Sequence, residues 1–477
     1  MAQEARVVKL SYQHHTARMA ARRVWLRMGV GLILVAIAGL QLGASYTSLA
    51  AAAERALSAR QAELSAGHDI QSHLKVAVES MNAARDTGDD SCYDKAEAAL
   101  NKVFEIDPKN YEALRLKGWV QSGKHQFEEA LASGEYASKL RPYDSWNYGV
   151  IVDALVELGR YKEAVDTAQE MVDLKPGMAA YTRIAYLRWL HGDPEGAVEM
   201  LEMAVDAGPP GAPETVWCVV QLGNEHFNRG RLDAAEVQYK RALEMLPGYT
   251  HALAGMGKVA AARKEYAKAI KFYKQAVAKN PSHGYVVALG DAHALAGDDK
   301  RANEQYTLVK RLAKERRSNP ETGLKMALFY ADHDEHLPEA LALAKKDAGS
   351  SEDIQAWDVL AWAHYKNGRY DDAAAAMKKA LRLGTEDALL FFHAGMIYRG
   401  LGDTEQAKRY LERAIETNPH FDPRYSQLAQ DTLKELEKDR ARADTVYKAL
   451  ATGLPAGALL ILAAAAWLWR SKINSRP

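Results

Sequence analysis

The phrase Tyr161, Lys162, Glu163, Ala164, with Ala168 and Pro176 behind it, returns along this chain at Leu232–Ala235, Tyr266–Ala269, Tyr370–Ala373 and Thr404–Ala407. Taking its small residue as a marker gives Ala96, Ala130, Ala164, Ala197, Ala235, Ala269, Ala302, Ala340, Ala373 and Ala407. Their spacings are 34, 34, 33, 38, 34, 33, 38, 33 and 34 residues. A unit that short cannot bury a core alone and must lay its apolar face on the units before and after it. The chain therefore reads as one stacked array, where 477 residues would otherwise suggest two or three domains.

Within each unit the residues define a helix pair. Small residues at the marker and seven positions on share one helix face and let a neighbouring helix approach. Gly159, Gly192, Gly230, Gly297, Gly368 and Gly402 stand five residues before a marker, where a left-handed turn between the paired helices is expected. Gly118, Gly223, Gly257, Gly290 and Gly395 stand twelve before, at a close-packed position of the first helix. Pro108, Pro142, Pro176, Pro209, Pro247, Pro281 and Pro419 stand twelve after and end the second helix. The unit around Ala340 lacks both glycines and the proline, so its packing is the least regular expected. The two spacings of 38 hold insertions, one of them Pro209 to Pro213 and the other the basic run Lys310, Arg311, Lys314, Arg316, Arg317, which reads as a solvated helix end.

Ten such units over about residues 75–420 resemble the tetratricopeptide repeat family. The resemblance implies an all-α, right-handed α-solenoid of about ten helix pairs, and an array that binds proteins or extended peptides along its concave surface. Carrying the family's inward positions, eleven and eight residues before each marker, onto this chain selects Trp119, Tyr186, Trp189, Asn224, Phe227, Phe329, Trp362, Tyr365, Met396 and Arg399. Aromatic and arginine side chains suit a recognition surface. The same aromatics could instead fill the inner curve of a superhelix. Asn224 and Lys258 fall in different units, which does not match the paired Lys and Asn clamp by which some members hold a terminal carboxylate.

The two ends have another character. From Met28 to Ala53 there are 26 positions without Asp, Glu, Lys or Arg, and from Ala449 to Trp469 there are 21. About 20 apolar residues suffice to cross a bilayer as helix, so both runs are expected to span. The first could alternatively be a cleaved signal ending near Ser48, Leu49 and Ala50. Arg6, Lys9, Arg18, Arg22, Arg23 and Arg27 precede it, which places the N-terminus in the cytoplasm. The expected order is a basic cytoplasmic segment (1–27), a transmembrane helix (28–50), a stalk with the first repeat helix (51–90), the solenoid (91–420), a capping helix (421–448), a second transmembrane helix (449–469) and a basic tail (470–477). The array would then lie on the periplasmic side of a bacterial inner membrane, whereas Lys434, Lys438, Arg440, Arg442 and Lys448 before the second run lean towards the opposite topology, with the array in the cytosol. Gly39 and Gly43, and Gly453 and Gly457, form G-x-x-x-G spacings at similar depth and could let the two spans pair.

No chemistry is written into the chain by motif. A phosphate-cradling glycine loop, H-E-x-x-H, G-x-S-x-G and C-x-x-C are all absent from the sequence. Asp332, His333, Asp334, Glu335 and His336 form the densest candidate for a metal or acid–base cluster, yet they fall where an inter-helix turn is expected. No catalytic residue, metal ligand or cofactor is assigned. Cys92 and Cys218 lie in the first and fifth units of an array whose repeats touch mainly their neighbours, which argues against a bridge between them, and Cys92, near a turn, could be exposed. The formal charge of zero excludes a strongly basic nucleic-acid binder and conceals a division. Residues 54–448 carry 53 Lys+Arg against 61 Asp+Glu, while both tips are basic.

Overall fold

The computed structural model describes residues 67–84, 91–315, 320–349 and 353–451, and the regular structure there is helical. A helix over 67–84 pairs with Ser91–Ile106, and nine further pairs follow, from Tyr111–Gly123 with Phe127–Leu140 to Ala388–Leu401 with Thr404–Thr417. The helix Tyr425–Ala451 closes the series. All ten markers lie on second helices, and none is more than 2% exposed. Side-chain caps start several helices. Asn110, Asp144, Asp193, Asp353, Asp387 and Asp403 each accept a backbone N–H of the first turn, which satisfies a donor that has no intrahelical partner.

The close-packed glycines have a direct physical reason. A Cβ on Gly223, Gly257 or Gly290 would stand 2.6, 2.8 or 2.5 Å from the ring of Tyr239, Tyr273 or Tyr306. The rings lie four residues after their markers, so a large side chain on the second helix fills the notch left by glycine on the first. The expected left-handed turn also appears where the chain has no glycine: His125 and Lys264 occupy it with φ of 56° and 61°. In the irregular unit Asp334 and His336 take the left-handed region, with φ of 54° and 45°, and Pro320–Asp332 still pairs with Leu337–Ala348. Its markers of irregularity are therefore changes of turn, and Ala327 and Ala340 at its core are fully buried.

The array does not stay one unit thick. Its superhelix brings the ninth and tenth units back onto the third, fourth and fifth. Tyr161 Oη donates to Asp353 Oδ1 at 2.8 Å and accepts the Ile354 backbone N–H at 3.0 Å. Thr385 Oγ1 donates to the Leu190 carbonyl, and Asn418 Nδ2 donates to the Phe227 carbonyl at 2.8 Å. These partners are 191 to 195 residues apart in sequence. Ile354 also belongs to the apolar cluster of Val150, Leu155 and Leu187. The expectation that units touch only their neighbours is thus corrected. Each unit adds a small rotation, and after about six units the accumulated turn closes on itself.

A second seam forms at the cap. Arg424 lies 3.1 Å from Asp332 and 3.5 Å from Asp291, with Asp332 also accepting from Trp362 Nε1 and Tyr425 Oη at 2.9 Å. Because Arg424 is mostly enclosed, this pairing satisfies charges that would otherwise be costly to bury.

Two expectations about the ends and the cysteines follow. The 28–50 segment lies outside the described residues, as does 452–469, and with them Gly39, Gly43, Gly453 and Gly457. Among the described residues no helix is long and apolar enough to cross a membrane. Cys92 is buried in Ser91–Ile106, which settles the open question of its exposure, and Cys92 and Cys218 are both free thiols.

Candidate binding groove

Most of the inward positions are covered by packing within the array. Phe227, Phe329 and Trp362 are 2% exposed and Met396 is 5% exposed. Trp362 stacks on His393 at 4.2 Å and on Tyr365 at 4.8 Å, and Phe329 lies 4.5 Å from the His333 ring. Lys258 Nζ sits 4.2 Å over the Phe227 ring. These side chains are spent on contacts within the chain. Arg399 pairs with Glu435 of the terminal helix at 2.8 Å, and Asn224 accepts the Tyr239 hydroxyl at 2.7 Å. Trp119 packs edge-on to Trp146 at 5.2 Å, beneath the Arg183 guanidinium. Trp189 is half-buried and forms the face against which Tyr186 stacks, at 5.7 Å and 13°. Of the ten, Tyr186 alone lines an open cavity on the first helices of the third to fifth units.

That cavity has a volume of about 1060 Å³ and runs across the first helices of the third, fourth and fifth units, Ser145–Glu157, Met178–Leu190 and Pro213–Asn228. The link 246–251 closes one side. Its wall is aromatic: Tyr186 is 39% exposed and Trp217 is 40% exposed, with Tyr249 and His251 across from them. Trp217, Gln221 and Glu225 lie four residues apart on one face of their helix, eighteen, fourteen and ten residues before the marker Ala235. Trp217 therefore sits two turns N-terminal to the carried-over position Asn224, while Tyr186 occupies a carried-over position and Glu225 directly follows one. The C-terminal turns of the same helices are covered by the ninth and tenth units.

A bidentate pair fixes the floor between the first two helices. Arg183 Nε and Nη2 donate to Asp153 Oδ1 and Oδ2 at 2.8 and 2.6 Å, and Arg183 Nη1 donates to the Ala179 carbonyl at 2.7 Å. Lys279 Nζ is held by the Gly248 carbonyl at 2.8 Å. Glu157, Glu214 and Glu225 add carboxyl groups to the lining. Burial raises the Glu225 carboxyl to about 7, against the opposing pull of Lys258. Its Oε2 is buried with no hydrogen-bond partner among the described residues. Burial likewise pushes the Cys218 thiol up to about 11, so the cavity's one cysteine stays a protonated, inert thiol at neutral pH.

The residues 332–336 do not converge. Asp332 joins the Arg424 seam, His333 Nε2 lies 2.9 Å from Asp291, and Asp334 pairs with Lys366 at 2.5 Å. Glu335 pairs with Lys310, and His336 begins the next helix. Among the described residues no group of three or more His, Cys, Asp or Glu is arranged to hold a metal ion.

Comparison with known proteins agrees with this architecture. Tetratricopeptide repeat models match residues 150–212, 220–284 and 337–388, and a second such model matches 364–432. The TPR repeat-containing protein YpiA of Bacillus subtilis is 25% identical over 329 residues, 67% of each chain. Cellulose synthase operon protein C of Komagataeibacter sucrofermentans is 25% identical over 189 residues, 40% of this chain, and the match spans only 13% of that relative. Among solved structures, a thermophilic TPR protein of Thermus thermophilus aligns at TM-score 0.35 and 21% identity, covering 42% of this chain and 99% of its own. The human IFIT1 dimer with PPP-AAAA aligns at TM-score 0.42 and 17% identity, covering 67% and 78%. The units within 150–212, 220–284 and 337–432 thus match tetratricopeptide repeats.

Proposed function

We propose that the chain is a scaffold that holds an extended segment of a partner protein in the groove between Ser145–Glu157 and Pro213–Asn228. One observation carries the reading: two large aromatic side chains, Tyr186 and Trp217, stand about 40% exposed in a concave cavity of about 1060 Å³. A folded chain normally buries such residues, and an aromatic pair on a rigid concave wall is the usual core of a protein-recognition surface. The test is site-specific photocrosslinking. A photoreactive phenylalanine at Trp217 should capture a partner in the native membrane fraction, and the same group at Val237 on a second helix should not. Equal capture at both positions refutes the groove.

The scaffold is anchored in a membrane by the runs 28–50 and 449–469, with the repeats on the periplasmic side of a bacterial inner membrane. The basic residues clustered before the first run support that orientation. Tyr143 is 88% exposed and both native thiols are buried, so Tyr143→Cys offers a single labelling site. A membrane-impermeant maleimide should modify it in intact spheroplasts. Modification only after lysis overturns the topology.

A further inference from the structure

We infer that the array associates head to tail with a second copy of this chain, the outer face of its third and fourth units meeting the outer face of the other copy's sixth and seventh. The observation is a segregation of charge on the second helices. Pro194–Ala207 carries Glu195, Glu199, Glu202 and Asp206 and no Lys or Arg, and Tyr161–Leu174 beside it carries four carboxylates against Lys162 alone. Tyr266–Lys279 carries Lys268, Lys271, Lys274 and Lys279 and no Asp or Glu, and Asp299–Glu315 beside it carries five basic residues against three acidic ones. By contrast, Leu337–Ala348, Tyr370–Ala380 and Thr404–Thr417 each hold equal numbers of both signs.

A stripe of one sign costs a helix stability. Glu195, Glu199, Glu202 and Asp206 recur at intervals of four, three and four residues and so share one face, where like charges repel. The tenth unit relieves such repulsion within its own helix, as in the pair of Lys408 with Glu412 at 3.5 Å. On the segregated helices relief is partial. Arg229 and Arg231 reach Glu195, Glu265 reaches Lys268, and Lys279 is held by the Gly248 carbonyl. Among the described residues Glu199, Glu202, Asp206, Lys271 and Lys274 enter no ion pair, and all five are exposed. Met203, 42% exposed between Glu199 and Asp206 on the acidic stripe, offers apolar surface to the stem of an incoming lysine.

The superhelix prevents the two faces from satisfying each other within one chain. The ninth unit returns onto the third, so about six units complete a turn, and units three apart look in opposite directions. The acidic third unit therefore lies opposite the basic sixth, and the acidic fourth opposite the basic seventh. Two copies side by side present these faces to one another. The contact is heterologous, so each chain keeps one free acidic and one free basic face for a further copy. Exposed ion pairs are individually weak and screened by salt, which makes the association reversible and dependent on ionic strength.

The experiment is sedimentation velocity on the full chain in detergent, at about 50 mM and about 500 mM NaCl, which shortens the reach of charge roughly threefold. At the lower salt the sedimentation coefficient should rise with protein concentration, and at the higher salt it should not. Lys271→Glu with Lys274→Glu, and separately Glu199→Lys with Glu202→Lys, should each weaken association by about tenfold or more. A mixture of the two variants should associate through the native face that each retains. A chain carrying all four substitutions should associate again through its reversed faces, which separates lost attraction from misfolding. A wild-type chain of constant sedimentation coefficient at both salts, or association that survives either pair of reversals, overturns the proposal. Association lost on reversing the lysines but indifferent to Glu199→Lys with Glu202→Lys also overturns it, because the basic face then meets another acidic surface.

Discussion

Gly192 and Gly297 are the same residue as far as the repeat is concerned, five positions before a marker and in the left-handed region, with φ of 75° and 79°. Placing alanine at either position costs about 1–2 kcal/mol, because its Cβ crowds the following carbonyl. The surroundings then separate them. A Cβ on Gly297 meets nothing within 4 Å, whereas one on Gly192 would stand 2.5 Å from the Gly384 carbonyl oxygen, a backbone atom of the returning ninth unit. Restoring ordinary contact requires that the fourth and ninth units part by close to 1 Å. The Thr385 bond to Leu190 lies within two residues of this contact, and the Tyr161 bonds belong to the same seam. Loss or stretching of such bonds, with the overpacking, adds about 1–3 kcal/mol to Gly192→Ala alone. Urea unfolding of the two variants followed by circular dichroism should show that gap. Hydrogen exchange at the Ile354 amide gives a local readout, because Ile354 opens its helix and its N–H is held by Tyr161 across the seam. Exchange there should accelerate at least tenfold in Gly192→Ala and stay unchanged in Gly297→Ala. Equal destabilisation, with Ile354 unaffected in both, would falsify the closure as a stabilising contact.

Tyr161→Phe keeps the ring but leaves the Ile354 N–H without its acceptor, and about 1–3 kcal/mol of stability should be lost, measured by the same urea titration. The buried Glu225 carboxyl has a folded-state value near 7 against about 4.5 unfolded, so its contribution is full below the unfolded value and is lost as pH rises through 7. Glu225→Gln should therefore flatten the decline between pH 5 and pH 8, gaining at most about 3 kcal/mol at the upper end and less where solvent reaches the cavity. A pH profile of unfolding midpoints for both proteins checks this, and identical slopes would refute it. Lys264 holds φ of 61° at a turn where other units use glycine, so Lys264→Gly should raise the midpoint by up to about 1 kcal/mol. A fall in stability would show that its side chain matters more than its backbone.

The repeat itself was legible because its physics is local. The alanine markers, the glycine notches under Tyr239, Tyr273 and Tyr306, and the prolines that end second helices all act within one unit or between two neighbours. Even the irregular unit obeys this, with Asp334 and His336 supplying the turn that glycine supplies elsewhere. The exposed wall of the groove was less legible. On the first helices Phe227, Phe329, Trp362 and Met396 are covered, while Trp217, nearly three turns before Phe227, stands in the open. Its pattern with Gln221 and Glu225 at four-residue intervals was present in the sequence, without anything local to distinguish it from a core face.

Phe329, Trp362 and Met396 are covered by adjoining units and the terminal helix, whereas the Phe227 carbonyl is met across the superhelical closure. That closure is the sum of small rotations over about six units, and no single unit encodes the sum. The amino-acid sequence determined ten helix pairs and the surface on which they stack. Only the tertiary structure decided that the ninth and tenth units return onto the third, fourth and fifth, because a contact between residues some 190 positions apart depends on every angle between them.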